Sequence, residues 1–205
     1  MRAGKRGFHP TDQEANGGME YCGTVILKDG RTCMIRNGTE RDARAVLTNY
    51  ILTHGQTDFL TTYPEEIRFT PDQEKDYLKK KTESSREAGL VAEVDGVNVG
   101  SAAVDSVRMA EKTKHRASFG ISIDKAWWGL GIGRALTEAC IQCARRAGYA
   151  QMELEVVADN ERALSLYRSV GFVEYGRNPK GFFSRASGWQ ENILMRLELD
   201  GGKTV

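Results

Sequence analysis

The sequence lacks an excess of charge of either sign. Its 205 residues include 29 Lys and Arg against 28 Asp and Glu, so the formal net charge is +1. Proteins that bind nucleic acid through the phosphate backbone usually carry a strongly basic surface. The balanced charge therefore predicts no nucleic-acid partner.

Long apolar runs are also missing. No run of 18 apolar residues is present, so we expect no membrane span and no membrane partner. The polar, glycine-rich N-terminus has no apolar core of the kind a secretory signal needs. Both features favour a cytoplasmic protein.

Cysteine is scarce and forms no recognisable disulfide framework, which again favours a reducing cytoplasm. Two of the four cysteines, Cys140 and Cys143, form a C-x-x-C pair. Both lie deep inside a helical pattern and on its apolar side. We therefore predict buried, small hydrophobic side chains in preference to a redox pair or half of a zinc site.

The composition, with 40% hydrophobic and 28% charged residues, is typical of a globular protein. Residues 1–20 have almost no apolar periodicity, and we predict a flexible N-terminal extension there. Residues 21–200 are predicted to form a single domain. Residues 201–205 are predicted to form a short tail.

Alternating and helical patterns predict an α+β fold. Asp29-Gly30 and Asp95-Gly96 each separate two strand-like runs and predict tight hairpins. A parallel, right-handed crossover is expected over 117–157, and a loop over 177–188. Helices are predicted over 40–53, 72–85, 131–147 and 160–170.

A glycine-rich turn, Trp128-Gly129-Leu130-Gly131-Ile132-Gly133-Arg134, lies between a predicted strand and a long predicted helix. Such a turn exposes backbone N–H groups at the positive end of the helix dipole, which suits a phosphate. The turn lacks the Lys-Ser/Thr pair of a Walker loop, and Arg134 stands where a dinucleotide fingerprint needs its third glycine. A tight turn that binds nothing is the structural alternative.

Further motifs follow downstream: Asn160-Glu161-Arg162-Ala163-Leu164-Ser165-Leu166-Tyr167 and then Gly171-Phe172. With these motifs, the segment from Phe119 to Tyr175 resembles the core of the GNAT superfamily of acetyl-CoA-dependent N-acetyltransferases. The family usually has Gln or Arg where this chain has Trp128. That departure removes a side-chain contact and leaves the backbone of the loop unchanged.

The resemblance implies a mixed central sheet of about six to seven strands flanked by about four helices. It implies acetyl-CoA as the co-substrate and no metal. Tyr167 is expected at the thioester sulfur as the general acid. The residues expected to contact the cofactor are Ile121, Ile123, Gly129, Leu130, Gly131, Ile132, Gly133, Arg134, Asn160 and Tyr167.

A general base for the amine is harder to assign from sequence. Glu153 and Glu155 share one face of a predicted strand, and Glu155 is our candidate base. The alternative is that both carboxylates are solvated surface residues. Asp124, His115 and His54 are lesser candidates, and a chain of water molecules could replace a single base.

The implied reaction is direct transfer of an acetyl group to a primary amine within a ternary complex. We expect a small-molecule acceptor. The alternatives are a peptide acceptor, through a protein N-terminus or lysine, and a regulatory module that binds acyl-CoA without turnover. Basic and aromatic residues in 50–63 and 177–189 hint at an acidic acceptor, or they form an exposed loop with no such role. A homodimer is left open.

Overall fold

The computed structural model describes residues 9–10 and 19–200, which form one nine-stranded sheet with helices on both faces. Its strands are β1 (His9–Pro10), β2 (Cys22–Ile26), β3 (Thr32–Asn37), β4 (Ala88–Val94), β5 (Val97–Ser106), β6 (Arg116–Ile123), β7 (Gln151–Val157), β8 (Val173–Ser184) and β9 (Gly188–Glu198). Its helices are α1 (Ala43–Gln56), α2 (Pro71–Glu83), α3 (Ile132–Arg146) and α4 (Glu161–Ser169), with short 3-10 turns at Glu40–Asp42, Pro64–Glu66 and Lys125–Trp127.

The strand order is β1-β2-β3-β4-β5-β6-β7-β9-β8. Among these strands, β6 and β7 form the one parallel pair, and α3 connects them. The predicted α+β class, the four helices and the parallel crossover are confirmed. The sheet has more strands than the predicted six to seven, partly because β1 is too short to produce an alternating pattern.

The predicted terminal segments lie mostly outside the described residues, which omit 1–8, 11–18 and 201–205. Within the predicted extension, His9–Pro10 pairs with β2, and Met19 is buried in the core.

Both predicted hairpins are confirmed. The Asp95-Gly96 turn joins β4 to β5, with φ of 51° at Asp95 and 78° at Gly96. A turn with positive φ at both central residues has a backbone twist that matches the right-handed twist of the flanking strands. Because Asp and Gly tolerate positive φ, an Asp-Gly pair between two strand-like runs indicates a hairpin. The Asp29-Gly30 turn joins β2 to β3 through a longer loop, in which Gly30 has a φ of 91° and the Leu27 amide donates a hydrogen bond to the Arg31 carbonyl at 2.8 Å.

The prediction of a loop over 177–188 is wrong, because β8 continues to Ser184 and turns directly into β9. Register shifts between Glu174 and Gly176 and between Asn178 and Phe182 interrupt the ladder. Strand β8 is at the edge of the sheet, where Pro179 and bulges are tolerated because one side of the backbone needs no partner. The irregular composition therefore marks a bulged edge strand.

Each face of the sheet has its own layer. Helices α1 and α2 cover one face, where Ala43, Val46 and Leu78 pack on Val91. Helices α3 and α4 cover the other face, where Leu136 and Phe172 belong to the large core. Since side chains alternate along a strand, every sheet residue can be assigned to the α1/α2 face or to the α3/α4 face.

Cys140 and Cys143 are buried and unpaired, as predicted, and burial raises the pKa of the Cys143 thiol to about 12. Over the described part of the chain, no helix has the length and apolar character that crossing a membrane requires.

The close pairing of β5 and β6 provides a test of the packing. A Cβ on Gly100 would come within 2.9 Å of the Ser122 carbonyl oxygen, whereas a Cβ on Gly120 would meet nothing within 4 Å. We expect Gly100→Ala to lower the free energy of unfolding by about 1–3 kcal/mol through overpacking. Gly120→Ala is the matched control, and urea denaturation should show it within about 0.5 kcal/mol of the parent. Equal stabilities for the two variants would contradict this packing.

Candidate active site

The site is built around a gap in the sheet. Strands β6 and β7 pair only from Arg116–Ser118 against Gln151–Glu153. Beyond that point β6 stays paired with β5, and β7 stays paired with β9. The two parallel strands therefore separate, and an opening passes through the sheet between them.

A cavity of about 1330 Å³ extends through this opening and reaches both faces of the sheet. That volume exceeds the usual 300–1,000 Å³ of a small-molecule pocket, so it has room for two ligands. We call its part on the α3/α4 face the α3 chamber, lined by Ile121, Gly129, Gly131, Asn160 and Tyr167. We call its part on the α1/α2 face the α1 chamber, lined by Tyr50, Glu74, Tyr77, Asp105 and Asn192.

The glycine turn borders the α3 chamber at the start of α3. Gly129 and Gly131 have φ of 85° and 107°, which side chains rarely tolerate. A Cβ on Gly131 would meet no atom within 4 Å, so this position faces open space. Bare backbone at the N-terminus of a 15-residue helix forms a suitable cradle for a phosphate or pyrophosphate.

Basic side chains surround this turn. Lys28, Arg134 and Arg162 all line the cavity here, and the Lys28 amide donates a hydrogen bond to the Leu130 carbonyl at 3.1 Å. The Arg134 guanidinium donates to Glu138 at 3.2 Å and to Ser169 at 2.7 Å, which ties α3 to α4. These charges complement an anionic ligand.

Trp128, the departure from the family pattern, has a structural role. Its indole Nε1 donates a hydrogen bond to the Ile123 carbonyl at 2.8 Å, which fastens the turn to the end of β6. The Arg162 guanidinium lies 5.0 Å from the centre of the indole ring, a cation–π distance. The indole thus holds the loop and one of its cations in place.

Tyr167 lies in α4 beside the gap and is buried. Its ring packs edge-on against Phe119, with ring centres 6.1 Å apart, and against Phe172 at 5.8 Å. Desolvation raises the pKa of its phenol to about 12, so the hydroxyl stays protonated at neutral pH. None of the described residues hydrogen-bonds to this hydroxyl, which leaves it available as a donor.

Asn160 caps α4, where its side-chain oxygen accepts a hydrogen bond from the Ala163 amide at 3.2 Å. It also lines the α3 chamber. The cap uses the amide oxygen, so the side-chain NH₂ remains available to a ligand. The capping role and a binding role are compatible.

Glu155 lies on β7 two residues beyond its last pair with β6 and lines the cavity at the gap. The Asn192 side-chain NH₂ donates to its carboxylate at 3.1 Å. Asn192 itself is only 7% exposed, and its Oδ1 has no hydrogen-bond partner among the described residues. The predicted carboxylate is therefore held by a buried amide that retains an unused acceptor atom.

The other candidate bases are occupied or remote from the gap. Arg116 and Gln151 both donate to the Glu153 carboxylate, and Arg116 lowers its pKa. Asp124 accepts hydrogen bonds from Gln56 and the Ala126 amide. His54 lines the α1 chamber, where burial lowers its pKa and its Nδ1 lies 2.7 Å from the Tyr50 carbonyl oxygen.

Most of the predicted cofactor residues lie on the cavity wall, and two do not. The side chains of Leu130 and Ile132 pack into the core instead. The predicted basic acceptor loop also differs, because Arg177 pairs with Glu174 and Glu191, and Arg185 pairs with Glu65. Of the segment 177–189, Phe182 is the residue that reaches the cavity wall.

The sequence interpretation missed Asn192, Glu74 and Tyr77. Asn192 lies in β9 between the polar Gln190-Glu191 pair and the apolar run Ile193–Met195, a weak signal that gains meaning only opposite Glu155. Glu74 and Tyr77 belong to a highly charged helix, and nothing local separates chamber residues from solvated ones there. Among the described residues, no group of three His, Cys, Asp or Glu side chains is placed to hold a metal ion.

The model of the acetyltransferase (GNAT) family matches residues 54–172. These residues include α2, the glycine turn, α3, the β6–β7 gap and α4. The chain belongs to the GNAT family.

Two curated relatives from Escherichia coli (strain K12) match the chain at 35% identity. L-amino acid N-acetyltransferase AaaT matches over 92 residues, which is 44% of this chain and 56% of that protein. [Ribosomal protein bS18]-alanine N-acetyltransferase matches over 81 residues, which is 40% of this chain and 54% of that protein. The chain therefore spans about half the length of each.

Among solved structures, yncA from Salmonella typhimurium with its cofactor acetyl-CoA superposes with a TM-score of 0.75. The match covers 84% of this chain and 97% of that one at 22% identity. At that identity the similarity establishes the fold.

The burial of Tyr167 predicts its titration. Because its pKa is about 12, above the usual 10, the folded protein should keep this phenol neutral until about pH 11. The difference in phenolate absorbance between the parent and Tyr167→Phe should therefore be flat below that pH. One extra phenol that ionises near pH 10 in the parent would contradict the burial.

Proposed function

We propose that the protein is an N-acetyltransferase that moves the acetyl group of acetyl-CoA to a primary amine by direct attack in a ternary complex. One observation carries the proposal. A single cavity joins a glycine phosphate cradle and Tyr167, on one face of the sheet, to Glu155 at the gap and to a second chamber beyond it. This arrangement suits two substrates that meet through the sheet.

Acetyl-CoA fits the α3 chamber. The open cradle at Gly129–Arg134 and its surrounding cations would hold the pyrophosphate. Ile121 and Ile123 on the separated stretch of β6, together with Asn160, would hold the pantetheine arm. When bound, acetyl-CoA supplies an activated thioester carbonyl.

The acceptor must present a neutral amine. A lysine-like amine has a pKa near ~10.4, so its neutral form at pH 7 costs about 4–5 kcal/mol. Glu155 at the gap would take the proton, directly or through water, while Asn192 holds the carboxylate in position. The buried surroundings of the α1 chamber also favour the neutral amine.

Tyr167 would act as a hydrogen-bond donor to the leaving sulfur. Its pKa of about 12 lies well above the roughly 8.5 of a thiol. Complete proton transfer from this phenol to the released thiolate would cost about 5 kcal/mol. A hydrogen bond that strengthens as negative charge grows on sulfur stabilises the leaving thiolate without that transfer, and water can then deliver the proton to sulfur.

The gap between β6 and β7 also supplies hydrogen-bond donors for the oxyanion that develops on the thioester carbonyl. Beyond Ser118, the backbone N–H groups of β6 that face β7 have no strand partner. An amide there can donate to the oxyanion that forms when the amine attacks the carbonyl.

The two named relatives act on an amino acid and on a ribosomal protein, so the comparisons support an amine acceptor of either size. We favour a small amine, because the α1 chamber is a cavity with walls from α1, α2 and several strands of the sheet. We also propose a cytoplasmic location, in agreement with four unpaired cysteines.

The role of Tyr167 can be tested by removing its hydroxyl. We expect Tyr167→Phe to lower kcat by about 10²–10⁴-fold while the Kd for acetyl-CoA stays the same, because the hydroxyl acts in the transition state. Tyr149→Phe is the matched control, since Tyr149 is buried outside the cavity and its hydroxyl bonds to Ser106 at 2.5 Å. An unimpaired kcat in the Tyr167 variant would remove this residue from the mechanism.

The phosphate cradle can be tested with two strained glycines. Gly131 and Gly148 both have positive φ and open space, but only Gly131 lies at the cavity. Valine at either position should destabilise the fold by about 1–3 kcal/mol. Calorimetry should show a Kd for acetyl-CoA raised at least about tenfold in Gly131→Val, because contacts between amides and phosphate are lost. Gly148→Val should keep the parent Kd, and equal affinities in both variants would rule out the cradle.

A further inference from the structure

The charges in the cavity are separated between its two chambers. Within the described part of the chain, the Lys and Arg side chains of the cavity wall are Lys28, Arg134 and Arg162. All three lie around the glycine turn in the α3 chamber, with Asp159 and Glu161 nearby. The cations therefore serve the end of the cavity that would hold phosphate.

The α1 chamber has carboxylates and no free cation. Asp105 pairs with the buried Lys81, which also pairs with Glu87. Glu74 and Glu155 have no cation within ion-pair distance over residues 19–200. His54 adds no charge, because its burial lowers its pKa and keeps the ring neutral.

Glu74 lies on α2, on the wall of the α1 chamber. It is partly buried near Tyr50 and Tyr77, and burial raises its pKa. A desolvated carboxylate without a partner is costly, and a cationic ligand would remove most of that cost.

Asn192 is an independent sign of a ligand with N–H groups. Its side chain is buried on the wall of the cavity, and its Oδ1 lacks a partner. An unsatisfied buried acceptor is costly. An amine that approaches Glu155 would satisfy this oxygen.

We propose that the acceptor is a primary amine with a second positive charge and no carboxylate, such as an α,ω-diamine, with its distal ammonium at Glu74. This inference rests on the proposed acetyl transfer. The neutral near nitrogen forms the amide bond as the C–S bond breaks, and the proton that it loses passes to Glu155. The thiolate leaves hydrogen-bonded to Tyr167, and the proton held by Glu155 then passes through water to the thiolate, which restores the carboxylate. The distal ammonium stays charged throughout.

The same charges disfavour an amino acid. Its carboxylate would lie in a chamber with Glu74, Asp105 and Glu155, and among the described residues no Lys or Arg side chain lines that chamber. The relative AaaT is named an L-amino acid N-acetyltransferase. We infer that this chain does not share the amino-acid specificity that the name of AaaT states.

Three amines with the same five-carbon chain can distinguish a diamine acceptor from a monoamine or an amino acid. Release of CoA from acetyl-CoA should be measured with the full chain and with pentylamine, 1,5-diaminopentane or L-lysine. We expect kcat/KM for the diamine to exceed both others by at least about tenfold, since it alone offers Glu74 a distal ammonium without bringing a carboxylate into the acidic chamber. Pentylamine lacks the distal charge, and lysine adds the carboxylate.

The contribution of Glu74 is tested by Glu74→Gln, with Glu83→Gln as the control on the same helix. Glu83 is exposed and lies outside the cavity. Glu74→Gln should raise KM for the diamine and reduce its advantage over pentylamine about tenfold, with the same Kd for acetyl-CoA. Glu83→Gln should keep the parental ratio.

Three results would contradict the proposal in different ways. Faster turnover of lysine than of the diamine would contradict the charge inference and leave the acetyltransferase assignment intact. No CoA release with any amine, although acetyl-CoA binds, would contradict both. An unchanged diamine preference in Glu74→Gln would remove Glu74 from acceptor recognition.

Discussion

The loss of pairing between β6 and β7 is the constraint on which the rest of the site depends. Two parallel strands that share only three residue pairs must separate, and the β5 and β9 ladders hold them apart. The opening places Tyr167 and Glu155 along one cavity although they lie on opposite faces of the sheet. If β6 and β7 were paired along their whole length, each face of the sheet would have only a shallow pocket, and no cavity would connect the two faces.

Two kinds of interaction keep the opening in shape. Trp128 joins the glycine turn to the end of β6 through its indole N–H, and Arg162 covers the ring. On the other face, the buried Lys81 ties α2 to Asp105 on β5 and to Glu87. Breaking a buried ion pair of this kind costs stability, because it leaves the remaining charge buried without a partner. The walls of both chambers are therefore fixed by directional contacts as well as by packing.

Local patterns predicted the elements that depend on local physics. The Asp-Gly hairpins and the helix after the glycine turn follow from backbone geometry. Most of edge strand β8 was not predicted, because bulges interrupt the alternation of polar and apolar residues along it. Asn192 and Glu74 escaped because their roles depend on what lies across the cavity, from strands and helices far away in sequence. Arg177 and Arg185 were considered as acceptor-binding residues, but they pair with Glu191 and Glu65. These partners come from other segments of the chain, so the local sequence did not reveal the ion pairs.

The sheet itself acts as a partition between the two substrates. In the proposed ternary complex each substrate would occupy the chamber on its own face, and the two would meet at the gap. The two chambers can also change independently: substitutions on α1 and α2 can alter the acceptor while the glycine turn, Trp128 and Tyr167 stay as they are. A family could in this way keep one donor and exchange acceptors freely.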